Sequence, residues 1–322
     1  MQSNPIYLRA KIAARYPEHH LGVRLKAKIL DGKALAEEIR REVATGVAEI
    51  QQKHGVTPGL AAVLVGDDPA SAIYVRNKRR ACDEVGMFSD SILLPTDSTN
   101  EQVMACVESL NNDLRFHGIL IQLPLPPQVD ERLIIESLNP NKDVDGLHPF
   151  NMGKLVQGSA DFVPGTPAGI QQILLRNGHD PEGANVVVCG RSDIVGKPMA
   201  LLLIQRAGGA NATVTVCHTR TKNLAEITRQ ADILVAAIGR PCAITADMVK
   251  VGAVVIDVGI NRVDDASRKL GYRLIGDVDF ETVSEKAAAI TPVPGGVGPM
   301  TIAMLLVNTL TATRISIHGR ES

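Results

Sequence analysis

A tyrosine and a lysine stand four residues apart in a segment predicted to be a helix over residues 70–85. That spacing places Tyr74 and Lys78 on one helical face, and the charged residues of the segment fall mainly on the opposite side. Burying an ammonium group is costly unless it is paired or loses its proton, and a lysine with a lowered pKa suits proton transfer near neutral pH. The alternative is a lysine at a domain edge whose ammonium group reaches water.

Two more polar residues are predicted to lie near Lys78. Gln122 is the first polar side chain after an apolar run, at the carboxyl end of a strand predicted over 118–123, where open α/β sheets bind ligands. Asp145 lies in the following loop, 140–146, whereas Asp143 in the same loop has the alternative of a local cap or salt bridge. Together with Tyr74 these side chains form a polar constellation that does not by itself name a substrate.

A second set of residues has the pattern of a nucleotide-binding turn. A strand over 185–189 ends at Gly190-Arg191-Ser192, and Pro198 stands near the start of the next helix, a position that proline favours. Backbone N–H groups at such a helix start bind anions, although an ordinary βα turn is an equal alternative.

The end of the next strand bears on which nucleotide is bound. In NAD-binding units this position usually holds an acid that takes the ribose hydroxyls, but here residues 213–217 are followed by His218-Thr219-Arg220-Thr221. Hydroxyls and cations bind a ribose phosphate that a carboxylate would repel. These residues therefore predict that the cofactor is NADP. The alternative for Arg220 is that it is only a solvated surface residue with no contact to the cofactor.

Apolar and amphipathic segments alternate along both halves of the chain and must position these residues. The predicted helices cover 33–54, 70–85, 99–112, 130–138, 167–177, 196–207, 222–230, 245–250 and 299–315, and the predicted strands 60–65, 91–94, 118–123, 185–189, 213–217, 233–237 and 254–258. Strands alternating with helices predict parallel sheets with covered faces. We therefore predict an α/β fold of two lobes with a cleft between them, the second Rossmann-like.

Composition excludes several classes of protein. The 322 residues are 45% hydrophobic with a net charge of −1, so no bulk attraction to nucleic acid or membrane is expected. Aromatic residues make up 3% with no Trp, which argues against stacking platforms. No apolar run approaches the roughly 18–20 residues of a membrane span. The five cysteines include no CxxC pair, so we expect no metal site and a reducing, cytoplasmic setting.

Residues 1–26 differ from the rest of the chain. Their basic residues face a single acid, Glu18, and no apolar segment of the signal-peptide kind follows. An organellar transit peptide is basic and poor in acids, but a poorly ordered extension is the interpretation adopted.

Five motifs, in order along the chain, resemble the methylenetetrahydrofolate dehydrogenase/methenyltetrahydrofolate cyclohydrolase family. They are Tyr74-Val75-Arg76-Asn77-Lys78, Gln122-Leu123-Pro124-Leu125-Pro126, Lys142-Asp143-Val144-Asp145-Gly146, Gly190-Arg191-Ser192 with Val195-Gly196, and Pro292-Val293-Pro294-Gly295-Gly296-Val297-Gly298-Pro299-Met300-Thr301. The likeness runs from about Ile29 to the end of the last helix.

The resemblance implies two reactions in one-carbon metabolism. Methylenetetrahydrofolate is oxidised by NADP to the methenyl form, which water converts to formyltetrahydrofolate, a product used in purine biosynthesis. It also implies a homodimer. It divides the chain into a folate-binding catalytic domain (27–163 with 299–322), an NADP-binding domain (164–298), and the extension 1–26.

The resemblance further implies the roles of individual residues. Lys78 is the key catalytic residue and Gln122 holds it, while Asp145 binds the pterin and Tyr74 stacks on the aminobenzoyl ring. The loop Pro294-Gly295-Gly296-Val297 lies beside folate and nicotinamide. Contacts to NADP come from Gly190, Arg191, Ser192, Thr219 and Ile260.

Two positions depart from the family's usual pattern. Gly165 stands where the family has Cys in Pro-Cys-Thr-Pro, and Thr219 stands where Ser is common. The first is expected to alter loop flexibility more than chemistry, and the second keeps the hydroxyl.

Three other functions stay open at this point. A two-domain amino-acid dehydrogenase lacks a reason for the Tyr74–Lys78 spacing beside Gln122, and a dehydrogenase without cyclohydrolase activity is disfavoured by the same residues. A non-catalytic module would bind NADP without turning over folate. A formyltetrahydrofolate ligase is not expected, since the phosphate loop GxxxxGK[ST] does not occur.

Overall fold

Two parallel sheets, each covered by helices, organise the protein in a computed structural model that describes residues 26–268 and 271–321. The predicted extension, apart from Lys26, lies outside the described residues. The α/β fold with parallel sheets is as predicted.

Element bounds match the predicted order with local differences. The first half contains β1 (Lys28–Ile29), α1 (Gly32–His54), β2 (Gly59–Val65), α2 (Pro69–Val85), β3 (Phe88–Leu94), α3 (Asn100–Asn112), β4 (Gly118–Ile121), α4 (Glu131–Glu136) and α5 (Pro149–Gln157). The second half contains α6 (Gly165–Arg176), β5 (Asn185–Cys189), α7 (Gly196–Leu203), β6 (Thr213–Cys217), α8 (Leu224–Thr228), β7 (Ile233–Ala236), a 3₁₀ turn (Ala246–Met248), β8 (Val254–Asp257), β9 (Asn261–Asp264), β10 (Tyr272–Ile275), α9 (Phe280–Ser284), β11 (Ala289–Ile290) and α10 (Val297–Glu321).

Several predicted bounds were wrong. Helices predicted over 196–207 and 222–230 are shorter, and the one predicted over 245–250 is a single 3₁₀ turn. The helix predicted over 167–177 begins two residues earlier, at Gly165, as α6. The helix α5 and the hairpin β9–β10 were not predicted.

The helices α1 and α2 begin and end where their sequences supply caps. Asp31 accepts a hydrogen bond from the amide of Ala34 (3.0 Å), and Asp68 accepts one from Ser71 (2.7 Å). Both helices end at a glycine in the left-handed conformation, Gly55 (φ 65°) and Gly86 (φ 79°), which residues with a Cβ adopt at a cost. These caps fix the register of α2 and hence the direction of Lys78.

The smaller sheet has the strand order β3-β2-β4, all parallel. Its middle strand, β2, is buried along its whole length. The chain crosses from β2 to β3 on one side and then to β4 on the other, so the order reverses at β2. Ligands bind in the crevice outside the carboxyl ends of strands at such a reversal, and Gln122 follows β4 at that edge.

The larger sheet has the parallel order β1-β11-β8-β7-β5-β6. Its order reverses at β5, which lies between β6 and β7, and Gly190 follows β5 at this second crevice. Lys28 and Ile29, predicted to belong to the first lobe, pair with β11 of this sheet instead. The division of the chain into domains otherwise stays a prediction.

The last helix, α10, joins the two halves by packing against α1 and α6. Contrary to the sequence expectation, its segment Val297–Gly319 is long and apolar enough to span a membrane, with a mean hydropathy of 1.4. However, 61% of an apolar 18-residue stretch within it is buried inside the protein, and a core helix passes the same test. Burial against α1 and α6 accounts for its apolar character.

Candidate active site

The amine of Lys78 contacts the side-chain amide of Gln122. Nζ of Lys78 donates to Oε1 of Gln122 at 3.1 Å. Gln122 is 9% exposed, and its Nε2 donates to the carbonyl of Leu123 at 2.7 Å. The structure thus brings together two residues that are 44 positions apart in the sequence, as the motifs predict.

The surroundings of Lys78 favour its neutral form. Its neighbours on α2, Ala81, Cys82 and Val85, are buried, and Lys78 itself is half-buried. Loss of hydration lowers the pKa of Lys78, while the negative charge of Asp145 opposes that shift. Proton transfer near neutral pH is favoured by a lowered lysine pKa, so the chemistry predicted for Lys78 fits its environment.

Asp145 shares this environment and is also perturbed. Burial raises its pKa to about 6, with the charge of Lys78 acting against that rise and Asp143 adding to it. Because each group shifts the other, Lys78 and Asp145 form an electrostatically coupled acid–base pair. Tyr74 lies one turn before Lys78 on α2 and is 44% exposed, which leaves its ring available for stacking.

Asp143 anchors the loop that carries Asp145. Its carboxylate is fully buried and accepts hydrogen bonds from the amides of Leu147 (3.3 Å) and His148 (2.8 Å) and from Nδ2 of Asn151 (2.8 Å). The sequence left a local cap as one reading of Asp143, and the structure agrees with it.

The last helix ties this loop to the rest of the protein. Asn308 is 5% exposed, and its Nδ2 donates to the carbonyls of Val144 (2.8 Å) and Val163 (2.9 Å). Sequence reasoning missed Asn308, because an amide inside an apolar helix gives no sign of its distant partner.

The loop 294–297 lies against the start of α1. The amide of Lys33 donates to the carbonyl of Gly295 at 2.9 Å, and a Cβ on Gly32 would stand 1.8 Å from the carbonyl oxygen of Gly296. Val297 already belongs to α10. A Cβ on Gly298 would lie 3.7 Å from Cδ1 of Ile260, so the predicted substrate loop and a predicted cofactor residue are neighbours.

The turn after β5 can lie this close to the neighbouring backbone only because it is built from glycine. Gly190 has φ 148°, and a Cβ there would lie 2.3 Å from the carbonyl oxygen of Ala237. A Cβ on Gly196 would lie 2.2 Å from the carbonyl oxygen of Gly190. The turn thus packs closely against the end of β7 and the start of α7, and it leaves Arg191 and Ser192 exposed.

The ends of β5 and β6 place the remaining cofactor candidates together. Cys189 and Cys217 are paired in register, and the amide of Gly190 donates to the carbonyl of Cys217 at 2.9 Å. Thr219 and Arg220 follow β6 and are exposed. Exposed hydroxyls and guanidinium groups at one sheet edge, with no acid at the end of β6, fit a nucleotide with a ribose phosphate.

No group of three His, Cys, Asp or Glu side chains that could hold a metal ion occurs among the residues the structure describes.

A parallel sheet whose strand β5 ends in a glycine turn of the nucleotide-binding pattern, together with a second sheet that carries the coupled pair Lys78 and Asp145, is typical of a two-lobed dinucleotide-dependent enzyme. Two family models match the chain, the catalytic domain of tetrahydrofolate dehydrogenase/cyclohydrolase over residues 30–145 and its NAD(P)-binding domain over residues 164–317. The chain belongs to the tetrahydrofolate dehydrogenase/cyclohydrolase family.

Individual relatives agree over almost their whole length. The bifunctional protein FolD of Chlorobium phaeobacteroides (strain BS1) is 54% identical over 296 residues, which cover 91% of this chain and 99% of the relative. The solved FolD of Campylobacter jejuni is 46% identical with a TM-score of 0.84, covering 90% of this chain and 99% of that one. The Trypanosoma brucei enzyme, solved with NADP cofactor and an inhibitor, is 41% identical with a TM-score of 0.86, covering 91% and 99%.

The family fixes the pair of reactions. The protein oxidises 5,10-methylenetetrahydrofolate to 5,10-methenyltetrahydrofolate with NADP, and hydrolyses that product to 10-formyltetrahydrofolate.

Proposed function

We propose that Lys78 serves both reactions, first as a neutral amine beside the developing cation and then as the base for water. The observation that carries this proposal is the hydrogen bond from Nζ of Lys78 to Oε1 of Gln122, made by an amine whose pKa is lowered by burial. A glutamine oxygen accepts from an amine or an ammonium group alike, so it holds Lys78 in place through a change of protonation.

The oxidation creates positive charge on the folate. When bound, NADP⁺ accepts the hydride that leaves the methylene carbon. An ammonium group nearby would repel the resulting cation by Coulomb's law, and the lowered pKa of Lys78 avoids that repulsion. The backbone of the Gly190 turn would hold the pyrophosphate, and Arg191, Ser192 and Thr219 would hold the ribose phosphate.

The hydrolysis needs a proton acceptor. Water attacks the methenyl carbon, and Nζ of Lys78 takes its proton, as expected for a base whose pKa lies closer to neutrality than that of an ordinary lysine. The proton is then available to the ring nitrogen that leaves. Asp145 binds the pterin, and Tyr74 stacks on the aminobenzoyl ring.

Replacing Lys78 by Met tests this role directly. Lys78→Met should abolish hydrolysis of methenyltetrahydrofolate, followed by absorbance, while calorimetry shows NADP binding within about twofold of the unmodified protein. Arg79→Met, on the exposed side of the same helix, is the matched control and should hydrolyse normally. Unchanged hydrolysis in Lys78→Met refutes the role.

We also propose a homodimer formed along the edge of β3. This strand has one partner, β2, among the described strands, and it exposes Leu93 (67%) and Phe88 (40%). An open strand edge that also exposes apolar side chains pairs readily with another strand. Light scattering should give a dimer mass that Leu93→Asp reduces to a monomer mass, and a monomer in the unmodified protein would contradict the proposal.

We place the protein in the cytoplasm, where its formyl product would supply purine biosynthesis. The five cysteines are free thiols, which fits a reducing compartment. Cell fractionation with an antibody to the protein tests the location, since recovery in an organelle would favour a transit role for residues 1–26.

A further inference from the structure

The carboxylate of Asp277 accepts hydrogen bonds from the loop 238–240, which follows β7. Its Oδ2 accepts hydrogen bonds from the amides of Ile238 (2.5 Å) and Gly239 (2.8 Å), and its Oδ1 accepts from the amide of Arg240 (3.0 Å) and from Nδ2 of Asn261 (2.9 Å). Asp277 is fully buried. Three successive N–H groups that converge on one carboxylate form a backbone nest, and here the carboxylate belongs to the protein itself.

A second buried carboxylate holds Asp277 in place. Asp257, the last residue of β8 and 2% exposed, accepts hydrogen bonds from the amides of Gly259 (3.0 Å), Asp277 (2.9 Å) and Val278 (3.0 Å). The space around the pair is full, because a Cβ on Gly276 would lie 1.7 Å from Oδ2 of Asp257 and one on Gly259 would lie 2.2 Å from Oδ1 of Asp277. The pair is therefore a rigid joint between the ends of β7 and β8.

This joint reaches both predicted binding regions. On one side, Ala237, which leads into the loop 238–240, closely approaches Gly190 of the cofactor turn. On the other side, Asn261 is held by Asp277 and follows Ile260, which is 49% exposed and neighbours Gly298 at the end of the substrate loop. One carboxylate thus fixes the backbone between the cofactor turn and the substrate loop.

We propose that Asp277 is a positioning residue for hydride transfer, which sets the distance between the reactive end of the cofactor and the folate by holding residues 238–240 and Asn261. The proposal rests on the cofactor site assigned above. Transfer between two bound molecules requires their reacting atoms to be about 3–3.5 Å apart, and a displacement of about 1 Å can lower the rate roughly 100-fold. Hydrolysis of methenyltetrahydrofolate involves no cofactor and has no such requirement.

The variant Asp277→Asn keeps the shape of the side chain but replaces one carboxylate oxygen by an NH₂ group. An NH₂ group cannot accept the hydrogen bonds that this oxygen receives in the unmodified protein. The dehydrogenase kcat of this variant should fall about 10- to 100-fold, while hydrolysis of methenyltetrahydrofolate, measured without NADP, stays within about twofold. In the protein without ligand, amide hydrogen exchange of residues 238–240 should become at least about tenfold faster, because the hydrogen bonds that protect these amides weaken.

Asp232→Asn is the matched control on the same sheet. The carboxylate of Asp232 also holds a backbone amide, that of Asn185 (2.9 Å), and it accepts from Nζ of Lys250 (2.6 Å), but it stands at the amino edge, before β7. Loss of stability alone would change both activities in proportion in either variant. We expect the ratio of dehydrogenase to hydrolysis to fall in Asp277→Asn and to stay constant in Asp232→Asn.

Equal loss of both activities in Asp277→Asn, or an unchanged ratio, overturns the proposal. If Asp277→Asn does not fold, Asn261→Ala provides the test, since it removes one of the four hydrogen bonds that Asp277 accepts. The ratio of dehydrogenase to hydrolysis should then fall about three- to tenfold. A constant ratio overturns the proposal. Failure of the proposed function would appear elsewhere, as normal hydrolysis in Lys78→Met.

Discussion

The side-chain amide of Gln122 has one orientation toward Lys78, because its Nε2 donates to the carbonyl of Leu123 and leaves Oε1 to face the amine at 3.1 Å. Lys78 thereby gains a neutral acceptor in place of an ion-pair partner. A neutral partner fixes the amine without the rise in pKa that a carboxylate at the same distance would cause. The choice of Gln at this position is therefore part of how Lys78 keeps a lowered pKa.

Replacing Gln122 by an acid should keep Lys78 protonated near neutral pH, so that it cannot act as a base. In Gln122→Glu the carboxylate favours the ammonium form, so the pKa of Lys78 rises. Because the neutral amine is the active base, the rising limb of hydrolysis against pH moves to higher pH, and kcat at pH 7 falls about 10- to 100-fold. A pH profile of hydrolysis from about 6 to 10 measures the shift.

Gln122→Met is the control for this experiment, since it removes the acceptor without adding charge. Its kcat should fall at all pH values, with no movement of the rising limb to higher pH. A limb that stays in place in Gln122→Glu would mean that the titration of Lys78 does not govern hydrolysis.

The ionised carboxylate of Asp145 should destabilise the folded protein at pH values above the pKa of Asp145. Burial raises that pKa to about 6, so the folded state binds the proton more tightly than the unfolded chain does. The penalty is fully present above about pH 6 and vanishes below the unfolded pKa of about 4. Asp145→Asn should therefore raise the free energy of unfolding by about 1–3 kcal/mol at pH 8, a range that allows for the partial exposure of Asp145 to water. At pH 4 the substitution should leave the free energy of unfolding unchanged.

Urea denaturation at the two pH values measures this difference. Asp143→Asn is the contrasting variant. Burial raises the pKa of Asp143 as well, but its carboxylate accepts three hydrogen bonds, and weakening them should destabilise the protein by about 1–3 kcal/mol at pH 8. Equal effects of both variants would show that the burial of Asp145 does not set its energy.

The sequence predicted most where a pattern is local. The apolar spacing of α1 and the uninterrupted apolar run of β2 each have one structural solution. The contact between Lys78 and Gln122 is not local, and it was expected from the resemblance of their motifs to a known family. The helix α5 was missed because it exposes Phe150 (54%) and Val156 (62%), so its apolar residues do not mark a buried face.

The roles of Asp257 and Asp277 were not predicted, because neither residue belongs to one of the motifs. Asp257 and Asp277 are 20 residues apart and act on loops whose conformations depend on each other. An aspartate at a strand end and another in Gly276-Asp277-Val278 are weak signals in isolation. Their joint role becomes visible only when β7 and β8 are placed side by side.

The contact between α1 and the substrate loop should admit no side chain at Gly32. A Cβ there would stand 1.8 Å from a backbone oxygen of Gly296, and backbone does not yield as the end of a flexible side chain does. Gly32→Ala should destabilise the protein by about 1–3 kcal/mol and raise KM for folate by displacing residues 294–297.

Chemical denaturation and folate kinetics measure the two effects. Gly153→Ala is the matched control, since Gly153 also lies in a helix but has nothing within 4 Å of its Cβ position. It should be neutral or stabilising by up to about 1 kcal/mol. A Gly32→Ala protein as stable as this control would contradict the close approach.

The choice between NADP and NAD should depend on the end of β6. Thr219 occupies the region where NAD-binding units place an acid, and it is exposed beside Arg220. In Thr219→Asp the carboxylate repels the ribose phosphate and can accept hydrogen bonds from ribose hydroxyls, so the ratio of kcat/KM for NADP to that for NAD should fall about 10- to 100-fold. Thr213→Asp, which adds the same charge at the exposed amino end of the same strand, should leave the ratio unchanged. Parallel assays with methylenetetrahydrofolate and each nucleotide measure it, and an equal ratio in both variants would place the phosphate elsewhere.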